Sequence, residues 1–305
     1  MKILTLCTCG LIAATGCLQA QHLDASLSVG TDGVGLNLNA RLCKVVGLRA
    51  GVTYVPDFDY NMKFGVEMDA GDGSSSETSS TRYHTMAQMM ENFTGVTVND
   101  YVTMVGSPDF VNFKFLVDFH PIPQDRRWTV TAGFYLGSET VAKAKNSLED
   151  ASTLLGVSIY NRMYEKAVAG EPLFTYGNVG VSLDPDMEDR FRAYGRMGIN
   201  VGTYADGSTY YMEPNEHSMV TARIKTNKFK PYLGLGFGDE WNRRWRYQVD
   251  CGAMFWGGTP SVVTHDGTDL TELASVKGRP GDYVDVIKKF KVYPVLSFSV
   301  AYQLF

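Results

Sequence analysis

With 305 residues and a formal net charge of −5, the chain is mildly acidic and carries no electrostatic footprint for nucleic acid. Glycine and aromatics are plentiful, at 31 Gly, 17 Tyr and 16 Phe, which suits sheets with tight turns and interfacial rings. Beyond the N-terminus no apolar stretch is long enough for a membrane helix, so a mature chain that crosses a bilayer must do so as a closed sheet.

Met1-Lys2, the apolar stretch Ile3 to Cys17 and the small-residue stretch Leu18-Gln19-Ala20 form the three parts of a secretory signal peptide, residues 1–20, cleaved after Ala20. A rival reading takes Ala14-Thr15-Gly16-Cys17 as a lipoprotein box, with a lipid anchor on Cys17. After cleavage at Ala20 only Cys43 and Cys251 remain. One poorly matched pair makes no disulfide framework, and both read as small apolar residues.

Period-two alternation then recurs along the chain. Leu23 to Val29, Val34 to Leu42 and Leu48 to Tyr54 each place apolar residues on every second position, the pattern of strands with different media on their two faces. An insertion at about residues 56–108 follows, with a Gly/Ser-rich flexible stretch from Gly71 to Ser80 and a weak helix from Tyr83 to Asn92. Val111 to Phe119 and Trp128 to Leu136 alternate again. The next insertion, about residues 138–228, is too long to be structureless. Ser147 is placed to cap a helix from Leu148 to about Lys166, with Leu148, Ala151, Leu155, Ile159 and Met163 on one face and Gly156 weakening it. Tyr204 to Tyr210 reads as a hairpin around Asp206-Gly207, and Met219 to Ile224 as a further strand. Tyr204, Tyr210 and Tyr211 are candidate contact residues there, with packing inside the insertion as the plainer reading. Phe229 to Phe237 and Trp245 to Phe255 alternate, a third insertion covers about residues 257–291, and the tail Val292 to Leu304 repeats the pattern before Phe305.

Each alternating segment has about the ~9–11 residues of a tilted membrane strand. Their connections at Cys43 to Val45, Pro121 to Arg127 and Asp239 to Arg244 are short and polar, and they alternate with the long insertions. Thr31-Asp32-Gly33 is the exception, a tight hairpin on the long-loop side.

The aromatic-terminated tail, the turn pattern and Phe229-Lys230-Pro231-Tyr232-Leu233-Gly234-Leu235-Gly236-Phe237-Gly238, with glycines where a narrow lumen needs room, resemble the small outer-membrane β-barrels of Gram-negative bacteria (OmpA-like and OmpX-like). The resemblance implies an all-β fold. This is an eight-stranded antiparallel up-and-down transmembrane barrel over residues 21–305, with long, partly helical extracellular insertions. It also implies an outer-membrane location with both termini periplasmic. The implied partners are outer-membrane lipid and, during insertion, the barrel-assembly machinery, with an unidentified ligand at the cell surface. The insertion signal would comprise Phe298, Val300, Tyr302 and Phe305. Phe305 is one step out of phase with a lipid-facing series that ends at Leu304, and a β-bulge or frayed end is needed to bring it in.

In such a barrel the positions facing inward include Asp24, Arg41, Arg49, Lys114, Asp118, Lys230, Arg246 and Asp250. An eight-stranded barrel is just wide enough for side chains to fill, so these charges read as a paired network plugging the lumen, the alternative being a polar pore. Nothing points to an enzyme or a cofactor. His22, His84, His120, His217 and His265 lack metal-ligand spacing. His265-Asp266 near Ser261 lacks a nucleophile motif. Asp184 to Asp189 is acidic but lacks the glycine and spacing of a calcium loop. Gly234-x-Gly236-x-Gly238 lies in a strand with no helix after it, which excludes a dinucleotide site.

The expected role is therefore structural or surface recognition. The rival is a soluble secreted or lipid-anchored β-barrel that binds a small apolar ligand. The direction of the alternation separates them: apolar residues face outward in a membrane barrel and inward in a soluble one.

Overall fold

The computed structural model describes residues 22–69, 77–122, 124–177, 179–277, 284 and 291–304. The signal peptide or lipoprotein box, Phe305 and most of the Gly71 to Ser80 stretch fall outside these residues.

Strands β1 (His22–Gly30), β2 (Gly33–Arg41) and β3 (Val46–Tyr54) open the chain. The first insertion supplies β4 (Tyr60–Met68), α1 (Ser79–Thr94) and β5 (Tyr101–Pro108) before β6 (Val111–Phe119) and β7 (Trp128–Gly137). The second holds β8 (Thr140–Asn146), α2 (Ala151–Ala169), β9 (Phe174–Tyr176), β10 (Val179–Val181), α3 (Pro185–Tyr194), β11 (Met197–Thr203), β12 (Thr209–Met212) and β13 (Thr221–Lys225). Next come β14 (Phe229–Glu240), β15 (Trp245–Phe255), β16 (Ser261–Thr264), β17 (Ser275–Val276) and β18 (Val292–Gln303).

Eight of these strands, β1, β2, β3, β6, β7, β14, β15 and β18, pair antiparallel in chain order and close into a barrel. They are the eight segments whose alternation the sequence displays. Closure runs between the first and last strands, with Leu27 opposite Val300 and Val29 opposite Phe298. Because closure pairs every edge, no barrel strand is left with a row of free backbone groups.

Above the long-loop end stands a second sheet in the order β12-β11-β4-β5-β8-β13-β16, with β17 on β11. Its middle is the barrel wall continued. The neighbours β3, β6, β7, β14 and β15 of the barrel correspond one to one with β4, β5, β8, β13 and β16 above, in the same order. Backbone bonds bridge the junction, from Val55 N to Phe110 O at 3.0 Å, Asp109 N to Val141 O at 2.9 Å and Thr226 N to Glu139 O at 2.7 Å.

Among the described residues three helices accompany this sheet, and the insertions bury an apolar core that includes Met68, Tyr83, Met86, Met90, Leu154, Tyr160, Phe191 and Met197. Helix α1 starts at Ser79, earlier than the sequence suggests, because the Thr78 side chain accepts the Thr81 N–H. Gly95, at φ 71°, ends it by donating to Glu91 O.

Helix α2 corrects the expected face. It begins at Ala151 and buries Leu154, Val157, Tyr160, Asn161 and Ala167; of the expected face Met163 is buried and Ile159 packs at the edge of the core, while Leu148 and Leu155 stay exposed. Two polar anchors set this rotation. Asn161 Nδ2 donates to Met197 O at 2.8 Å while its Oδ1 accepts the Met197 N–H at 2.9 Å, and Tyr160 OH donates to Gly195 O at 2.8 Å. Gly156 is the point of close approach, since a Cβ there would lie 2.4 Å from Val98 Cγ2. The Asp206-Gly207 hairpin forms as expected, with Gly207 at φ 87°. Tyr210 is buried in it, its hydroxyl 2.7 Å from Asp266 Oδ2, so it packs within the insertion.

Candidate functional site: the barrel lumen and its two ends

The outer wall of the barrel is apolar and bare. Leu27, Leu36 and Leu235 are 61, 67 and 59 % exposed, whereas Arg49, Lys114 and Lys230 on the inner face are 5, 1 and 0 % exposed. Aromatic pairs ring the short-turn end, Trp128 with Phe237 at 5.1 Å and Trp245 with Tyr302 at 5.0 Å between centroids. Phe134 and Phe229 pair at 5.2 Å toward the other end. A wall that presents leucine outward and seals cations inside is stable only against hydrocarbon. The fold is an eight-stranded antiparallel β-barrel of the membrane-spanning kind, apolar outside and charged within.

Of the insertion-signal residues, Phe298 lies exposed on this wall, with Val300 and Tyr302 further along the same strand.

The lumen of this barrel is layered. At its centre the Arg49 guanidinium from β3 bridges two carboxylates, Asp118 from β6 and Asp250 from β15. Its contacts are Nη2–Oδ1 and Nε–Oδ2 to Asp118 at 2.9 and 3.1 Å, and Nη1–Oδ2 to Asp250 at 2.6 Å. Thr131 donates to Asp118 at 2.7 Å, and Gln248 donates to Asp250 at the same distance. Every strong donor in this clamp therefore has an acceptor, which is the condition under which buried charge persists.

Toward the long loops, Lys114 meets Asp32 at 3.6 Å, and Tyr135 OH donates to the same carboxylate at 3.2 Å. Lys230 reaches Asn112 Oδ1 at 3.2 Å and Ser138 O at 3.3 Å. At the short-turn end Arg246 pairs with Asp24. Arg41 lines the same end and, among the described residues, enters no ion pair. Seven of the eight expected charges thus have hydrogen-bond or ionic partners.

Asp32 escaped the sequence reading. It sits in the tight β1–β2 turn, yet it is fully buried, because the turn tucks its carboxylate into the mouth against Lys114. The apolar cluster beside it was also missed. Leu116, Tyr135, Tyr232, Met254 and Val295 turn inward at the long-loop end and pack with Phe110, Tyr293 and Trp256. Trp256 stacks on Phe110 with centroids 6.4 Å apart. The only trace in the sequence is large residues at inward positions otherwise held by Gly, Ser and Thr. The glycines of β14 and β15 make the space, since a Cβ at Gly234 or Gly252 would lie 2.4 Å from Tyr232 OH.

Below the Arg49 clamp the lumen opens into a cavity of about 590 Å³ at the short-turn end. No group of His, Cys, Asp or Glu among the described residues is arranged to hold a metal. Asp266 is engaged by Tyr210 and Thr264, and His265 Nδ1 faces the Thr221 N–H at 3.5 Å, so no Ser261–His265–Asp266 relay forms.

No protein-family model matches the sequence, and no curated protein does. Among solved structures, CarO2 of Acinetobacter baumannii is similar at 16% identity and a TM-score of 0.40, covering 92% of this chain and 98% of that one. CarO of the same organism gives 16%, 0.41, 92% and 97%. A major outer membrane protein from Thermus thermophilus gives 11%, 0.35, 92% and 98%. Likenesses at these scores decide nothing about function; the chemistry of wall and lumen does.

Proposed function

We propose that the protein is an integral outer-membrane barrel with a closed lumen, which anchors a folded extracellular sheet in a structural or surface-recognition role. In this reading both termini and the short turns are periplasmic, and the three insertions face the outside. Lipid surrounds the wall, the barrel-assembly machinery inserts it, and an unidentified surface ligand meets the insertions. The chain itself performs no catalysis.

The observation that carries the closed lumen is the stacking of two barriers. The Arg49–Asp118–Asp250 clamp crosses the barrel, and the Tyr135, Tyr232, Met254 and Val295 layer lies above it. An ion entering from the outside would have to displace an apolar layer and then separate a buried ion pair, each costly. The wall chemistry supports the membrane setting over the soluble rival, because a ligand-binding soluble barrel needs its apolar face inside.

The test is single-channel recording of the refolded protein in a planar bilayer. The expected result is insertion without steady conductance, and a stable ohmic channel would replace this reading with a pore.

A further inference from the structure

The cavity at the short-turn end carries a charge arrangement that the barrel's architecture does not need. Arg246 in its wall is neutralised by Asp24, Arg127 at its rim by Asp125 at 2.8 Å, and Arg49 at its floor by Asp118. Arg41 from the end of β2 and Arg126 from the β6–β7 turn also line it, and among the described residues neither forms an ion pair. The Arg126 Nε is buried and has no hydrogen-bond partner. Arg41 repels Arg126, and Glu240 attracts both; Asp239 is the other carboxylate of the lining outside an ion pair among the described residues. Burial and then the neighbouring Arg41 pull the Arg126 pKa down, and Glu240 offsets them in part. His120 lines the same wall, with the neutral donors Asn39, Thr129 and Gln248 around it.

Two like charges held in one partly desolvated cavity, one with an unsatisfied buried donor, are stabilised by an anion between them. Paired guanidinium forks match the oxygen geometry of a phosphate group. We propose that this vestibule is a binding site for a phosphate group, held between Arg41 and Arg126. The volume of about 590 Å³ admits a small phosphorylated compound. Such a ligand is a soluble phosphate compound or a phospholipid headgroup folded in from the rim. Glu240 opposes it and sets the affinity. The site opens to the periplasm if the proposed orientation holds, but binding to purified protein does not depend on that orientation.

The test is titration calorimetry of the refolded full-length mature protein with inorganic phosphate, first in a phosphate-free zwitterionic detergent. Saturable binding is expected. Arg126→Gln should weaken it by about tenfold, the worth of one charged hydrogen-bonding partner, and Arg41→Gln/Arg126→Gln should abolish it. Glu240→Gln should tighten it, whereas Lys44→Gln and Arg243→Gln, outside the cavity lining, should leave it unchanged. Heat-modifiable gel migration shows that each variant is folded. Repeating the titration in nanodiscs of phosphatidylcholine and of phosphatidylglycerol separates the sources. Affinity lower in either phospholipid than in the phosphate-free detergent identifies the headgroup, and affinity equal to that in the detergent identifies a soluble compound. No saturable binding to the wild type, or equal binding in the folded double variant, overturns the proposal.

Discussion

Arg49 is the residue on which the lumen turns. Its guanidinium is shared by Asp118 and Asp250, which come from strands β6 and β15 on different parts of the wall. Arg49→Met leaves two buried carboxylates facing each other without a cation, and removal of one partner from a buried ion pair costs about 3–5 kcal/mol. The expected outcome is a loss of that order in urea unfolding in detergent micelles. Asp118→Asn should cost less, because Asp250 keeps its hold on Arg49. His120, in the β6–β7 turn, adds a pH dependence. Burial, then the nearby Arg126, lowers its pKa below the ordinary 6.5. Below about 6.5 the unfolded chain takes up a proton that the folded chain refuses, so stability falls as pH falls through that range and levels off below the folded pKa. His120→Gln should flatten this slope in unfolding curves between pH 7 and pH 5 (about the His range). At this scale the inward charges were legible, because alternation fixes which residues share a face. Their partners were not, since pairing depends on register and shear across non-adjacent strands. Asp32 was hidden because a turn residue has no alternation to place it.

At the scale of elements, the barrel strands were the most legible part of the chain. A period of two survives wherever the two faces meet different media, and β14 shows it across Phe229 to Phe237 without a break. Helix α2 was legible as a helix but not in its orientation. Its buried face contains Asn161 and Tyr160, whose polar atoms are satisfied by the backbone of Met197 and Gly195. A rule that buries only apolar residues therefore turns the helix the wrong way. Gly156 shows the same limit, reading as a helix breaker in the sequence while serving as the contact with Val98. Gly156→Ala gains about 1 kcal/mol of helix propensity but overpacks this contact, typically at about 1–3 kcal/mol. The substitution should lower the thermal midpoint of the sheet formed by the insertions, followed by circular dichroism. In a Val98→Ala background it should become neutral or stabilising, and a midpoint lowered equally in both backgrounds would mean that the contact is not the cause.

At the scale of the molecule, five barrel strands continue beyond the barrel in the same order as a sheet with its own core. The sequence showed long insertions; it could not show that their strands inherit the neighbour order of the wall, because that inheritance follows from pairing. Barrel and second sheet are thus one continuous structure, joined by backbone hydrogen bonds among the β3–β4, β5–β6, β7–β8 and β13–β14 crossings. All of it depends on which way the wall faces. The direct measurement places a single fluorophore-labelled cysteine at Leu27, Leu235 or Phe298, and separately at Ser26, Asn37 or Ser299, with Cys43 and Cys251 replaced by serine. Each protein is reconstituted into vesicles that carry a lipid-tail quencher. Strong quenching at the first three positions and little at the second three is the predicted result. The reverse pattern, or equal quenching at both sets, would contradict an outer wall bathed in hydrocarbon.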